Sequence, residues 1–247
     1  VAGLRVRFLG SGDAFGSGGR FNTCIMLEAE EGACLVDCGA SSLIAMRRFG
    51  VDPNRIGAVF ISHLHGDHFG GLPFLILDGQ LISRREAPLT IAGPPGLGNR
   101  LEAAMEVFFP GSSKIERKFA LELVELTPGA RARVKGIGVT PYEVKHPSGA
   151  VPFALRLEFG GRVVTYTGDT EWTDALIAAA RGADLLIAEA YFFEKPVKFH
   201  LSYADIRDRL EELAPKRLIL THPSADMLAR SGEALHELAE DGKVIEL

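Results

Sequence analysis

His63-Leu64-His65-Gly66-Asp67-His68 follows the apolar run Ala58-Val59-Phe60-Ile61 with only Ser62 between. Three imidazoles and a carboxylate within six residues suit a hydrophobic core badly, because each neutral imidazole brings a donor and an acceptor that must be satisfied. They suit a divalent ion well. Imidazole nitrogen and carboxylate oxygen are natural zinc ligands, and a vacant coordination position can hold water. His63 and His65 alternate by two, so an extended segment points both to one side. Asp67 continues that face, while His68 needs the chain to turn, which Gly66 is expected to ease. Four candidate ligands from one short loop crowd a single ion, so two neighbouring ions explain the count better. The chain holds seven histidines, three of them here, and this concentration points to a metal-dependent hydrolase.

An apolar strand ending in polar residues recurs along the chain. Segment 162–166 precedes Thr167-Gly168-Asp169-Thr170, segment 184–188 precedes Glu189-Ala190, and segment 217–220 precedes Thr221-His222-Pro223. Segment 139–145 leads to His146, with Pro147 restricting the chain just beyond the imidazole. Rigid strands that support converging loops are a common physical arrangement for a site. His146, Asp169 and His222 are therefore the remaining ligand candidates, against a reading of three unrelated surface or cap residues. Further strands are expected at 4–9, 24–28, 32–37, 117–126, 131–145 and 153–159. Cys34 and Val36 should share one strand face, with Leu35 and Asp37 on the other. Helices are expected at 42–49, 98–108, 173–180, 202–213 and 225–240, with Ser202 and Asp205 forming a capping box. Alternating strands and helices indicate a layered α/β fold, and 247 residues suit one domain over 1–247.

His63, His65, Asp67 and His68 meet the HxHxDH signature, and on it the chain resembles the metallo-β-lactamase superfamily. It looks most like the ribonuclease Z branch and its small phosphodiesterase relatives. That likeness rests on Leu9-Gly10-Ser11-Gly12, on Gly168-Asp169-Thr170, and on Glu189-Ala190 followed downstream by His200-Leu201-Ser202. It covers essentially the whole chain. The resemblance implies a four-layer αββα sandwich with the site at one edge between its two sheets. It also implies that His63, His65 and His146 hold one metal ion, that Asp67, His68 and His222 hold a second, and that Asp169 bridges them. Such a set suits two similar ions, zinc first and manganese next. One departure bears on substrate. Ribonuclease Z enzymes usually carry a basic, glycine-rich arm that clamps transfer RNA, whereas here only residues 147–168 separate the third histidine from the bridging aspartate.

A pair of divalent ions about 4 Å apart acidifies a shared water and neutralises phosphoryl charge. The leading expectation is a phosphodiesterase acting on a small phosphodiester, a cyclic nucleotide or a short RNA-like substrate. Asp67 is expected to orient the attacking water as well as to ligate. His200 is expected to serve as general acid, with Glu189 orienting its imidazole, against the plainer reading of a loop histidine packed among Phe192, Phe193 and Phe199. Hydrolysis of carboxylic, thio-, lactone or sulfate esters on the same platform is a second reading. Transfer-RNA processing is a third, and a noncatalytic binding module a fourth. The loop from Gly10 to Gly19 lacks the Walker lysine and is expected to pack at the rim or bring backbone near the ions.

The formal net charge of -5 and the absence of a lysine- or arginine-rich tract argue against a long nucleic-acid footprint. Arg84, Arg85, Arg131, Arg133 and Lys135 are the candidates for a local basic patch. Three cysteines and no N-terminal signal pattern favour a cytoplasmic location, and the longest apolar runs are too short to span a bilayer. The apolar stretch Phe74-Leu75-Ile76-Leu77 is expected in the core, on a homodimer face or along a substrate wall.

Overall fold

The computed structural model describes residues 3–247. Strands β1 (Arg5–Gly10), β2 (Cys24–Ala29), β3 (Gly32–Val36), β4 (Ile56–Phe60), β5 (Leu89–Gly93) and β6 (Leu121–Glu125) lie in one sheet. Strands β7 (Ala132–Val134), β8 (Ile137–Glu143), β9 (Phe153–Phe159), β10 (Arg162–Tyr166), β11 (Leu185–Glu189), β12 (Leu218–Thr221) and β13 (Glu237–Leu238) form the other. The last strand, β14 (Val244–Glu246), returns to the first sheet beside β1. The spatial orders are β14-β1-β2-β3-β4-β5-β6 and β13-β12-β11-β10-β9-β8-β7. Each sheet is antiparallel at one side and parallel at the other. The change falls at β3 in the first sheet and at β10 in the second.

Three apolar layers hold the sandwich together. Between the sheets, Phe8, Leu27, Cys34, Val36 and Phe60 pack with Phe153, Leu155, Tyr166 and Ile187. Leu35, Val59 and Ile91 face outward from the first sheet against α1 (Ser42–Arg48), α3 (Leu72–Leu81) and α4 (Leu97–Phe108), which follow and bracket the one-turn α2 (Gly66–Phe69). Leu186 and Leu220 do the same for the second sheet, against α5 (Ala175–Ala180), α6 (Tyr203–Arg207), α7 (Leu210–Leu213) and α8 (Ala225–Ala229). The fold is the four-layer αββα sandwich. Strands covered on both faces read as continuous apolar runs, which is why β4, β11 and β12 stand out in the sequence. Fully burying one such side chain, Phe60 for example, stabilises by roughly 1.5–3 kcal/mol.

Several elements differ from expectation. The helix expected over 225–240 stops at Ala229; a 3-10 turn over Ser231–Glu233 follows, and β13 then pairs parallel with β12. Gly232 weakens helix there, and the open edge of β12 offers backbone partners, with Ala239 N–H donating to the Leu220 carbonyl at 2.7 Å. The helix expected over 202–213 is broken at Arg209 (φ −121°, ψ 16°), whose guanidinium lies 4.6 Å over the Trp172 ring. Its capping box forms as expected: Asp205 N–H donates to Ser202 Oγ at 3.1 Å and Ser202 N–H to Asp205 Oδ2 at 2.9 Å. Strands β5 and β14 fall outside the expected elements. Arg85 does not join a basic patch: it is buried, and its guanidinium donates to the carbonyls of Ala87, Pro53, Ile56 and Pro88. Arg131 is paired with Glu158. Among the described residues, no helix is long and apolar enough to cross a membrane.

Candidate metal centre

The C-terminal ends of β4, β8, β10, β11 and β12 meet at one end of the sandwich, where the strands stop and loops begin. His63 and His65 follow β4, and Asp67 and His68 ride on α2. His146 follows β8, Asp169 follows β10, Glu189 ends β11, and His222 follows β12. Gly66 plays a different part from the one expected. It starts the helical turn with no left-handed backbone angle, so the turn comes from α2 itself. Gly168 is the glycine the site requires: its φ is +62°, and a Cβ there would lie 2.5 Å from the Phe153 carbonyl oxygen.

All seven ligand candidates come together. His63, His65 and His146 form one group, and Asp67, His68, Asp169 and His222 another; within each group the ligand atoms lie no more than 4.8 Å apart. His146 Nε2 is 3.0 Å from His65 Nδ1. Asp169 Oδ2 lies 3.3 Å from His68 Nε2, 3.4 Å from His222 Nε2 and 4.0 Å from His63 Nε2, so one carboxylate faces both groups. Asp67 Oδ2 is 3.1 Å from His68 Nε2 and 3.2 Å from His222 Nε2.

The surroundings orient these rings toward a shared space. The Nδ1 side of His63 faces Ser62 Oγ at 3.1 Å, that of His68 faces Asp37 Oδ2 at 2.7 Å, and that of His146 faces the Phe199 carbonyl at 2.9 Å. Each leaves Nε2 as the nitrogen turned to the ligand group, as outer hydrogen bonds on metal-ligating histidines do. His63 Nε2, His68 Nε2 and Asp169 Oδ1 are buried with no hydrogen-bond partner. Such orphaned atoms are costly unless something else engages them. Two divalent ions with nitrogen and oxygen ligands fit that requirement.

Electrostatics agree with this fit. Burial opposes charge on His68, yet Asp169, Asp67 and Asp37 outweigh it and hold its pKa well above the ordinary imidazole value. Burial likewise opposes His222, which Asp169 and Asp67 push up to about 9. Burial resists ionisation of Asp169, but His222 and His68 hold it well below the usual carboxylate range. Burial, followed by His68, takes His63 well below its normal value. Buried carboxylates thus draw positive charge to this end of the molecule, and a divalent ion can supply it.

Beyond the ligand candidates, Glu189 is a hub. Its Oε1 engages His200 Nδ1, and its Oε2 accepts from the N–H of Thr170 at 3.0 Å and of Leu201 at 3.2 Å. One buried carboxylate therefore ties the Asp169 loop to the His200 segment. Burial opposes charge on His200, but its bond to Glu189 raises its pKa overall. Tyr191, unnoticed in the sequence, stacks on His200 with ring centroids 4.8 Å apart and planes at 27°. Asp37 is a further site residue that sequence reasoning misses. It adopts φ +59°, accepts from both Ser62 N–H and Ser62 Oγ at 2.7 Å, and fixes His68.

A cavity of about 190 Å³ opens over the cluster, lined by His65, Asp67, His146, Asp169, His200 and His222, with Tyr191, Ala14 and Phe15 at its mouth. The glycine loop is thus a rim. Asp13 Oδ1 accepts from the N–H of Phe15 at 3.2 Å and of Ser17 at 2.8 Å. Asp241, near the far end of the chain, accepts from Ser11 N–H and Ser11 Oγ at 2.9 Å and from Phe21 N–H at 2.8 Å. These bonds present Phe15 to solvent, 86% exposed.

Comparison with known proteins agrees with the fold. A ribonuclease Z of Methanosarcina acetivorans is 26% identical, over 90% of this chain and 88% of its own. The structure of the short form of human tRNase Z superposes with a TM-score of 0.79 at 28% identity, covering 98% of each chain. The metallo-β-lactamase fold protein YhfI of Bacillus subtilis gives a TM-score of 0.79 at 23% identity, over 99% of this chain and 100% of that one, a likeness of fold. The protein is a metal-dependent hydrolase of the metallo-β-lactamase superfamily, in the branch of ribonuclease Z and related phosphodiesterases. Within it, this chain belongs to the family described as Anti-Pycsar protein Apyc1, whose model matches residues 4–245.

Proposed function

We propose that the protein is a dinuclear phosphodiesterase acting on a small phosphodiester such as a cyclic nucleotide. In this reading His63, His65 and His146 hold one ion, Asp67, His68 and His222 hold the other, and Asp169 lies between them; zinc is the first choice and manganese the second. The observation that carries it is the convergence of His63 Nε2, His68 Nε2 and Asp169 Oδ1, buried and unpartnered, beneath a cavity. When bound, two divalent ions supply an acidified water for attack and positive charge against the phosphoryl oxygens. Asp67 accepts a hydrogen bond from the attacking water and orients it toward phosphorus. His200, its Nδ1 held by Glu189, offers Nε2 to the departing oxygen as proton donor. Tyr191 keeps that ring in plane. Phe15 offers an apolar face at the mouth, suited to a flat group attached to the phosphate.

Two features favour a small substrate over transfer RNA. The cavity is small, about 190 Å³, and residues 147–168 are taken up mainly by the adjoining strands β9 and β10, with no projecting arm. The test is hydrolysis of bis(p-nitrophenyl) phosphate and of cyclic nucleotides, with metal content measured alongside. Activity lost on chelation and regained with zinc or manganese is expected. His200→Ala should lower kcat by about 10²–10⁴-fold with metal retained. Turnover of carbonyl or sulfate esters with none of any phosphodiester would overturn the reading in favour of the other ester class.

A further inference from the structure

The cluster His146–Phe199–His200 carries one more inference, which rests on reading His146 as a ligand and His200 as the acid. Val197 and His200 are bridged in antiparallel fashion across a tight turn whose third residue, Phe199, has φ +69°. Type II turns place Gly or Asn at that position, because a side chain with a Cβ is strained there. Phe199 is bulky and 41% exposed, so burial of its ring does not explain the strain. Backbone contacts on both sides do. Its carbonyl accepts from His146 Nδ1 at 2.9 Å, and its N–H reaches Glu171 Oε2 at 3.4 Å. Glu171 is itself bridged to Lys145, the residue before His146. The peptide that begins with the Phe199 carbonyl continues into His200, which Glu189 holds from the other side.

We propose that Phe199 is a positioning residue: its left-handed backbone aims one peptide group so that the ring state of His146 and the placement of His200 are set together. The carbonyl keeps the proton on His146 Nδ1 and so leaves Nε2 free for the metal. The same peptide plane carries the His200 ring over the cavity. Loading of one ion and readiness of the proton donor are then a single backbone event. The side chain of Phe199 plays no part in this, and the backbone angle does.

Three variants separate the two. Phe199→Gly removes the ring and tolerates the angle, Phe199→Ala removes the ring and keeps the Cβ, and Phe199→Val disfavours the angle most strongly. In zinc-loaded, ¹⁵N-histidine-labelled protein, His146 should show Nδ1 protonated in wild type and in Phe199→Gly, and a shifted Nδ1 signal in Phe199→Val. Competition with a zinc chelator should find Phe199→Gly within about threefold of wild type in metal affinity. Phe199→Val should bind one of the two ions about 10–100-fold more weakly, the usual effect of losing an outer-sphere partner. If Phe199→Val does not fold, Phe199→Ala, which keeps the Cβ and loses only the ring, must bind both ions within about threefold of wild type, and a greater loss would overturn the proposal. Equal loss in Phe199→Gly and Phe199→Ala, or an unshifted His146 signal with unchanged affinity in Phe199→Val, would overturn the proposal. These readouts need no substrate. An absence of phosphodiester turnover would remove the proposed function, while metal affinity and the His146 signal alone decide the role of Phe199.

Discussion

Asp37 shows how much a single side chain can contribute without touching substrate. It is wholly buried, sits in a left-handed backbone conformation, and spends its two oxygens on Ser62 and His68. Burial raises its pKa, with His68 and Ser62 opposing that rise. Asp37→Asn keeps the shape and removes the charge, and should weaken metal affinity about 10–100-fold; titration against a zinc chelator checks this. A variant that binds as tightly as wild type would show that the carboxylate does not support His68. The ligand candidates are legible as residues because clustered imidazoles have so few other uses. Asp37 is not, because a lone carboxylate after an apolar strand is an ordinary sequence event. Tyr191 and the Phe199 carbonyl are illegible for a deeper reason: ring stacking and backbone acceptors depend on where distant segments land.

The strand ends are where elements become a site. At Gly168 the chain leaves β10 with φ +62° against the Phe153 carbonyl, so Gly168→Ala should both strain the turn and displace Asp169. A loss of more than about 1 kcal/mol in stability is expected, read from the urea midpoint, together with reduced metal content. Asp184, just before β11, accepts from Val163 N–H and Lys216 Nζ at 2.8 Å each. Its bond to Lys216 is the main cause of a pKa held below the ordinary carboxylate value. A depressed folded-state pKa means this contribution is present at neutral pH and is lost as pH falls through that value. Asp184→Asn should therefore be less stable than wild type at pH 7, with the gap closing under acid, as thermal melts at several pH values would show. Sequence reading is strongest for β4, β10, β11 and β12, whose apolar runs end in conspicuous polar residues. It fails for β13, which lies inside the helix expected over 225–240, and for β14, since two or three residues at a sheet edge carry no periodicity of their own.

At the scale of the whole molecule, the two sheets share a plan, antiparallel then parallel, that leaves no visible repeat in the sequence. Both parallel halves end at the metal centre, so the architecture is legible through the strand ends and the family resemblance rather than through strand pairing. The outer helical layer carries Phe74, Leu81 and Ile82 partly or largely exposed along an apolar groove of about 220 Å³, which Leu43, Leu77 and Phe109 also line. This is the face on which the homodimer expected from sequence would form. Light scattering after gel filtration should give twice 26.6 kDa, and Leu81→Glu with Ile82→Lys should give a monomer. A wild-type mass of one chain would dismiss that expectation.

Asp241 binds Ser11 and Phe21 while β14 zips along β1, so this late segment is a drawstring for the mouth of the cavity over the ligand cluster. Replacing Asp241 with Ala touches none of the ligand set, yet it should slacken the loop that displays Phe15. An engineer choosing where to insert a label would therefore find residues 241–246 closer to the metal centre than their distance along the sequence suggests.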